Sequence, residues 1–187
     1  MQEADLLDQA TQHFSDLVAA VKPDQWDAPT PDTEWSVRDL VNHLTSEYLW
    51  IPPLLAGKTI EEVGDKFDGD VVGEDPAAAW TAAREAALTA IRALDDPTRT
   101  VHLSFGDTPA QTYLQQMLID IVIHGWDLAR GIGADDTIPP ELLRVTMELF
   151  EPQAEDWRSG GSLGPRVPVA ADADDQTKLL ALSGRKA

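Results

Sequence analysis

The chain has no cysteine. That absence excludes disulfide frameworks, cysteine-type zinc fingers, iron–sulfur clusters and a protein thiol nucleophile, and it suits a reducing cytoplasm. Basic residues are scarce too. There are 14 lysines and arginines against 33 aspartates and glutamates, a formal net charge of −19. A surface of that sign repels nucleic-acid phosphates and anionic membranes, so neither is an expected partner. No apolar run approaches the ~20 residues needed to span a bilayer. The acidic start Met1-Gln2-Glu3-Ala4-Asp5 lacks the basic and apolar regions of a signal peptide, so the expected location is the cytoplasm. No nucleophile elbow supports Ser/His/Asp chemistry, and no phosphate-binding glycine loop follows a strand.

What the chain does carry is helical periodicity. Its 187 residues suffice for one domain with a sizeable core, expected over 1–187, with a bundle over about 2–156 and a tail over 157–187. Leu6, Leu7, Ala10, Phe14, Leu17 and Val18 mark a first helix, which Pro23 stops. Ser36 with Asp39 is a variant capping box opening a second helix, with Trp35 and Leu40 as a staple, until Pro52-Pro53 intervenes. Residues 56–74 read as a long loop. Asp75-Pro76 opens a third helix through Leu94. Residues 100–105 alternate like a short strand, turned by Gly106-Asp107. Thr108-Pro109-Ala110-Gln111 then starts a fourth helix running to about Arg130, with Gly131 and Gly133 at its end. A fifth helix is expected from Pro140 to about Asp156, and a short terminal one over 175–182. The expected fold is all-α: a four-helix bundle, up-down-down-up across the long loop, with an extra C-terminal helix and an irregular tail.

Asp120 and His124 stand four residues apart and so share a helix face with Tyr113, Met117 and Leu128. A carboxylate and an imidazole on an inward face need a partner, and a divalent cation with a third ligand from another helix provides one. His43, on the apolar stripe of the second helix, is the best third ligand, because helices two and four can face each other across the core. The same spacing also describes a metal-free buried pair and a core histidine bonded to a carbonyl. Glu47, one turn after His43, is a candidate general base, an outer partner of the metal, or half of an interhelical ion pair. Asp127 is expected to pair with Arg38 or Arg130, Trp50 and Trp126 to wall the core or cavity, and His13 and His102 to be incidental.

The segment from Trp35 to Leu44, together with Asp120-x3-His124-Gly125-Trp126-Asp127-Leu128-Ala129-Arg130, resembles the actinobacterial DinB-like metal-binding proteins. More narrowly, it resembles the N-terminal domain of the mycothiol-dependent maleylpyruvate isomerase family. The tail segments Gly164–Val169 and Gln176–Arg185 extend the resemblance over nearly the whole chain. The resemblance implies a four-helix core holding a divalent metal through one residue of helix two and two of helix four, positions matched here by His43, Asp120 and His124. Asp120 stands where the isomerase has a glutamate, and the isomerase's additional C-terminal domain is not expected here.

Two histidines and one carboxylate leave coordination positions open, as in a catalytic or substrate-binding site. Zinc suits the set best, with nickel, iron or manganese as alternatives. The expected function is a metal-dependent transferase or isomerase using an external thiol such as mycothiol. Its partners would be that thiol and a small-molecule substrate, with a homodimer allowed. A non-catalytic metal- or ligand-binding stress or regulatory module, and a metal-dependent hydrolase, are the alternatives. With no clamping domain and a strongly negative charge, maleylpyruvate turnover is expected to be negligible.

Overall fold

A computed structural model describes residues 3–32 and 34–187. Helix α1 spans Glu3–Ala20 and α2 Val37–Leu55. A single-turn α3 covers Ile60–Val63, and α4 runs Pro76–Arg92. A hairpin follows, β1 (Thr100–Leu103) with β2 (Gly106–Pro109), and then α5 at Ala110–Ile132. Helices α6 (Pro140–Phe150), α7 (Ala154–Ser159) and α8 (Asp175–Leu182) complete the order. The four long helices close a ring in which α1 packs on α5, α5 on α2, α2 on α4 and α4 on α1, with α6 laid on α5 and α8 on α6. Their inward residues, among them Phe14, Leu40, Leu44, Ile51, Trp80, Ile119 and Leu128, form one buried apolar cluster. The chain is the all-α bundle that its periodicity implied.

Local chemistry explains where the elements begin. The side chain of Ser36 accepts from the backbone of Asp39, whose carboxylate takes the Ser36 N–H in return, so the capping box starts α2. Pro52 and Pro53 do not stop that helix. It continues a further turn to Leu55, because Ile51, Leu54 and Leu55 are buried and the proline carbonyls still accept from Ala56 and Lys58. The stretch read as an unbroken loop holds α3, started by a second capping box between Thr59 and Glu62.

Thr108 does not cap α5. It pairs with Val101 in the hairpin, and the first N–H groups of α5, on Ala110 and Gln111, donate to the carbonyls of Arg99 and Pro97. Backbone caps thus leave the threonine free for the strand. The helix expected over 140–156 breaks into α6 and α7 around Glu151-Pro152-Gln153, since proline cannot donate within a helix. No helix among the described residues is long and apolar enough to cross a membrane.

Candidate metal centre

Helices α2 and α5 cross the core with His43 on one and Asp120 and His124, one turn apart, on the other. One carboxylate oxygen of Asp120 lies 3.4 Å from His43 Nε2, and the second lies 3.4 Å from His124 Nε2. A ligand atom from each of the three residues falls within 4.8 Å of the other two. Charge-assisted hydrogen bonds between such groups are shorter, about 2.7–2.9 Å. Bonds of ~2.0–2.1 Å to a common tetrahedral ion separate its ligands by about 3.3 Å. The three residues could hold a shared cation, and the N, N, O donor set suits zinc and its first-row neighbours, while the 3.4 Å contacts to two different Asp120 oxygens also describe a metal-free His–Asp–His cluster.

The loop before α2 covers this cluster. Thr30 binds the Trp35 carbonyl through its backbone N–H (3.2 Å) and its hydroxyl (2.9 Å), and Pro29 bridges to Ser36. Gly131 lets α5 come close to that loop, for a side chain there would press on Val37 and Thr30 at 3.1 and 3.2 Å. Trp35 consequently lies over both imidazoles, with ring centroids 4.6 Å from His43 and 5.4 Å from His124. Its indole is a wall of the site.

Behind His124, Nδ1 meets Asp127 Oδ2 at 3.0 Å. Asp127 is fully buried. Burial opposes its charge, but His124 and Arg185 hold its carboxyl below the usual range. An ionised carboxylate can only accept, so Nδ1 carries the proton and Nε2 faces Asp120 and His43. The expected partners Arg38 and Arg130 are engaged elsewhere, with Asp70 (2.8 Å) and Asp136 (3.0 Å), and Arg185 of the tail takes their place at 2.8 Å. Nothing local in the sequence signals this pair, because its members are 58 positions apart.

Burial also opposes charge on His124, yet the adjoining Asp120 and Asp127 push its pKa up to about 9 without a metal. The two histidines hold the Asp120 carboxyl well below the usual range against the same burial. Glu47 is pushed the other way, chiefly by burial and then by the charge of Asp120. It lies outside the three-residue cluster, and none of the ion pairs among the described residues involves it, so the ion-pair role weighed for it is not realised. His102 meets Asp107 across the hairpin at 2.7 Å and lines neither cleft beside the cluster. Trp126 is core, and Trp50 packs on Phe67.

The cluster opens on a cleft of about 730 Å³, walled by Trp35, Trp157, Ile123 and Leu163 and reaching Arg185. His43 and Asp120 are each 27 % exposed and His124 8 %, so the open side faces this cleft. The fold and site define a class: helical bundles that present two imidazoles and a carboxylate, from two helices, to an accessible cavity.

Comparison with known proteins gives the family. Residues 7–129 match the family model of the mycothiol maleylpyruvate isomerase N-terminal domain, and the chain belongs to that family. The uncharacterized protein Rv0738 of Mycobacterium tuberculosis (strain H37Rv) is 31 % identical over 177 residues, covering 92 % of this chain and 91 % of the relative. Protein MT0763 of strain CDC 1551 matches equally. The crystal structure of the mycothiol-dependent maleylpyruvate isomerase superposes with a TM-score of 0.64 at 18 % identity, over 88 % of this chain and 73 % of that one. A histidine-to-alanine variant of that enzyme superposes at 0.66 with the same identity and coverage. These likenesses show the DinB-like helical fold.

Proposed function

We propose that this chain is a divalent-metal-dependent enzyme, a transferase or isomerase that uses an external low-molecular-weight thiol of the mycothiol type. The observation that carries the reading is the convergence of His43, Asp120 and His124 within 4.8 Å at the floor of an open cleft. The family's name supports the choice of thiol, and a chain without cysteine must take its sulfur from outside. A divalent cation held by these three residues, zinc being the best fit, supplies Lewis acidity that makes a thiol a thiolate at neutral pH.

The chain's own residues do the rest. His43, Asp120 and His124 bind; Asp127 orients His124; Trp35 excludes water from one side. Glu47, one turn from His43, is the candidate general base; burial raises its pKa from the ordinary carboxylate value, and it lines neither cleft beside the cluster.

The cleft also selects its electrophile. Arg185, the cation among its lining residues, is engaged by Asp127, Asp32 and the Ser183 carbonyl, while Asp32 and Glu34 add negative charge. A small dianion is repelled and finds no free guanidinium to clamp it. Neutral or apolar electrophiles, resting on Trp35, Trp157 and Leu163, are the better substrates, and maleylpyruvate turnover should be negligible. Efficient turnover that is lost in His43→Ala would overturn that preference.

Cobalt substitution tests the reading itself. Adding mycothiol, or a simpler thiol, should change the visible spectrum, with affinity rising as pH approaches the thiol's pKa. A spectrum unmoved by any thiol would favour a hydrolase or a non-catalytic binding module.

A further inference from the structure

Arg185 stands close to the chain's end, yet local geometry aims it at the centre. Helix α8 is anchored by the buried Leu179, Leu180 and Leu182. It stops in a Schellman turn. Gly184, at φ +86°, donates to the Ala181 carbonyl (3.2 Å), and the Arg185 N–H donates to the Leu180 carbonyl (2.8 Å). A side chain at Gly184 would be strained at that φ and would meet the Pro165 carbonyl at 3.4 Å. The turn thus launches Arg185 in one direction, between α5 and the loop before α2.

There the guanidinium uses each of its nitrogens. Nε donates to both oxygens of Asp127 at 3.3 and 3.2 Å. Nη2 donates to Asp127 Oδ2 at 2.8 Å and Asp32 Oδ2 at 3.0 Å, and Nη1 donates to the Ser183 carbonyl at 3.1 Å. Oδ2 of Asp127 is also the oxygen that accepts from His124 Nδ1. Among the described residues His124 and Arg185 are the hydrogen-bond partners of this fully buried carboxylate. A planar fork of donors fixes the plane of a carboxylate in a way that one imidazole cannot.

We propose that Arg185 is a positioning residue of the metal centre: through Asp127 it fixes the His124 ring with Nε2 facing His43 and Asp120, and so couples the seating of the C-terminal tail to metal affinity. The inference rests on the proposed metal-dependent function. Partners behind a metal-bound histidine typically contribute 10–100-fold to affinity, and a loss of that size is what Arg185 should govern.

The test is zinc affinity, measured by competition with a chromophoric chelator on the full chain, with circular dichroism of the metal-free protein as the check on folding. Arg185→Met, which keeps length but removes the donors, should bind about 10–100-fold more weakly and shift the cobalt absorption bands. Arg185→Lys should recover only part of the loss. In an Asp127→Asn background, Arg185→Met should add almost nothing. A folded Arg185→Met with wild-type affinity overturns the inference, as does a loss that simply adds to that of Asp127→Asn. Should Arg185→Met unfold, Gly184→Ala decides, because it keeps the arginine and strains the turn that aims it: weakened binding supports the coupling, and wild-type affinity overturns it. A wild-type protein that binds no zinc overturns the functional reading, and this inference with it.

Discussion

The side of the bundle where α1 meets α4 and the side where α2 meets α5 are built from similar apolar stripes but finished differently. On the first, the Phe14 ring and that of Tyr48, which reaches in from α2, each lie 4.8 Å from Trp80, the Tyr48 hydroxyl meets Thr11 at 2.9 Å, and the Trp80 N–H donates to Ser15 at 2.9 Å. Those hydroxyl and indole groups are matched, although the buried Nε of Arg84, on α4 facing α1, has no hydrogen-bond partner among the described residues. On the second, Asp120 stands 3.4 Å from each of two imidazoles, Glu47 is a half-buried acid without an ion pair, and the buried Tyr113 hydroxyl has no hydrogen-bond partner among the described residues. Unmatched polar groups are costly in a core, and what sets the second side apart is the gathering of Asp120, Glu47 and two imidazoles in one place. One side holds the fold and the other carries the candidate site.

If the two sides are separable, damage to the first should not propagate to the second. Phe14→Ala, at a residue with no exposed surface, should cost about 3–5 kcal/mol in urea unfolding while the remaining folded protein keeps its zinc affinity. A matching collapse of affinity would break the separation.

A smaller effect, at most ~3 kcal/mol, comes from pH in the metal-free protein. The His124 pKa is raised from 6.5 to about 9, so its contribution to stability is complete below 6.5 and is lost as pH rises through about 9. The Asp120 carboxyl is shifted down, so its contribution is present above ~3.9 and is lost as pH falls. Thermal melts of chelator-treated protein should therefore peak between about pH 4 and 6.5 and decline toward pH 9. Stabilisation by added zinc should grow over the same interval, as the proton competing for His124 is released. A flat profile would mean that His124 and Asp120 do not interact.

Ser36→Ala removes the cap that starts α2 and should cost about 1 kcal/mol by chemical denaturation. The smallest change is expected at Glu47, and its sign matters. Because burial and the charge of Asp120 disfavour its ionised form, Glu47→Gln should stabilise the metal-free protein at neutral pH by ~1 kcal/mol or less, at most about 2–4 °C in Tm. A loss of stability would mean that Glu47 serves the fold through an ion pair.

Residues close in sequence announced most of this arrangement. The Ser36–Asp39 box, the apolar stripes and the four-residue spacing of Asp120 and His124 are local signals, and a bundle with α2 beside α5 brings His43 to them. What stayed hidden was non-local or satisfied by backbone. Arg185 reaches Asp127 across 58 positions, and carbonyls of Arg99 and Pro97 take the place of the side-chain cap that the Thr108 spacing predicts. The proline pair at 52–53 was outweighed by the burial of Leu54 and Leu55, a packing effect that propensity does not contain. The Thr59–Glu62 box is a local signal as well, set inside a glycine-rich stretch that reads as loop.

Metal content tests the central claim most directly. The full chain, purified without chelators, would be assayed by elemental analysis beside His43→Ala and His124→Ala, with circular dichroism confirming that all three remain helical. The wild type should hold about one divalent ion per chain, because the two sets of three possible ligands among the described residues share His124 and in the other set Asp127 is held by Arg185, and both variants should hold none. A metal-free wild type, or full occupancy in the two variants, would contradict the assignment of His43, Asp120 and His124 as a metal centre.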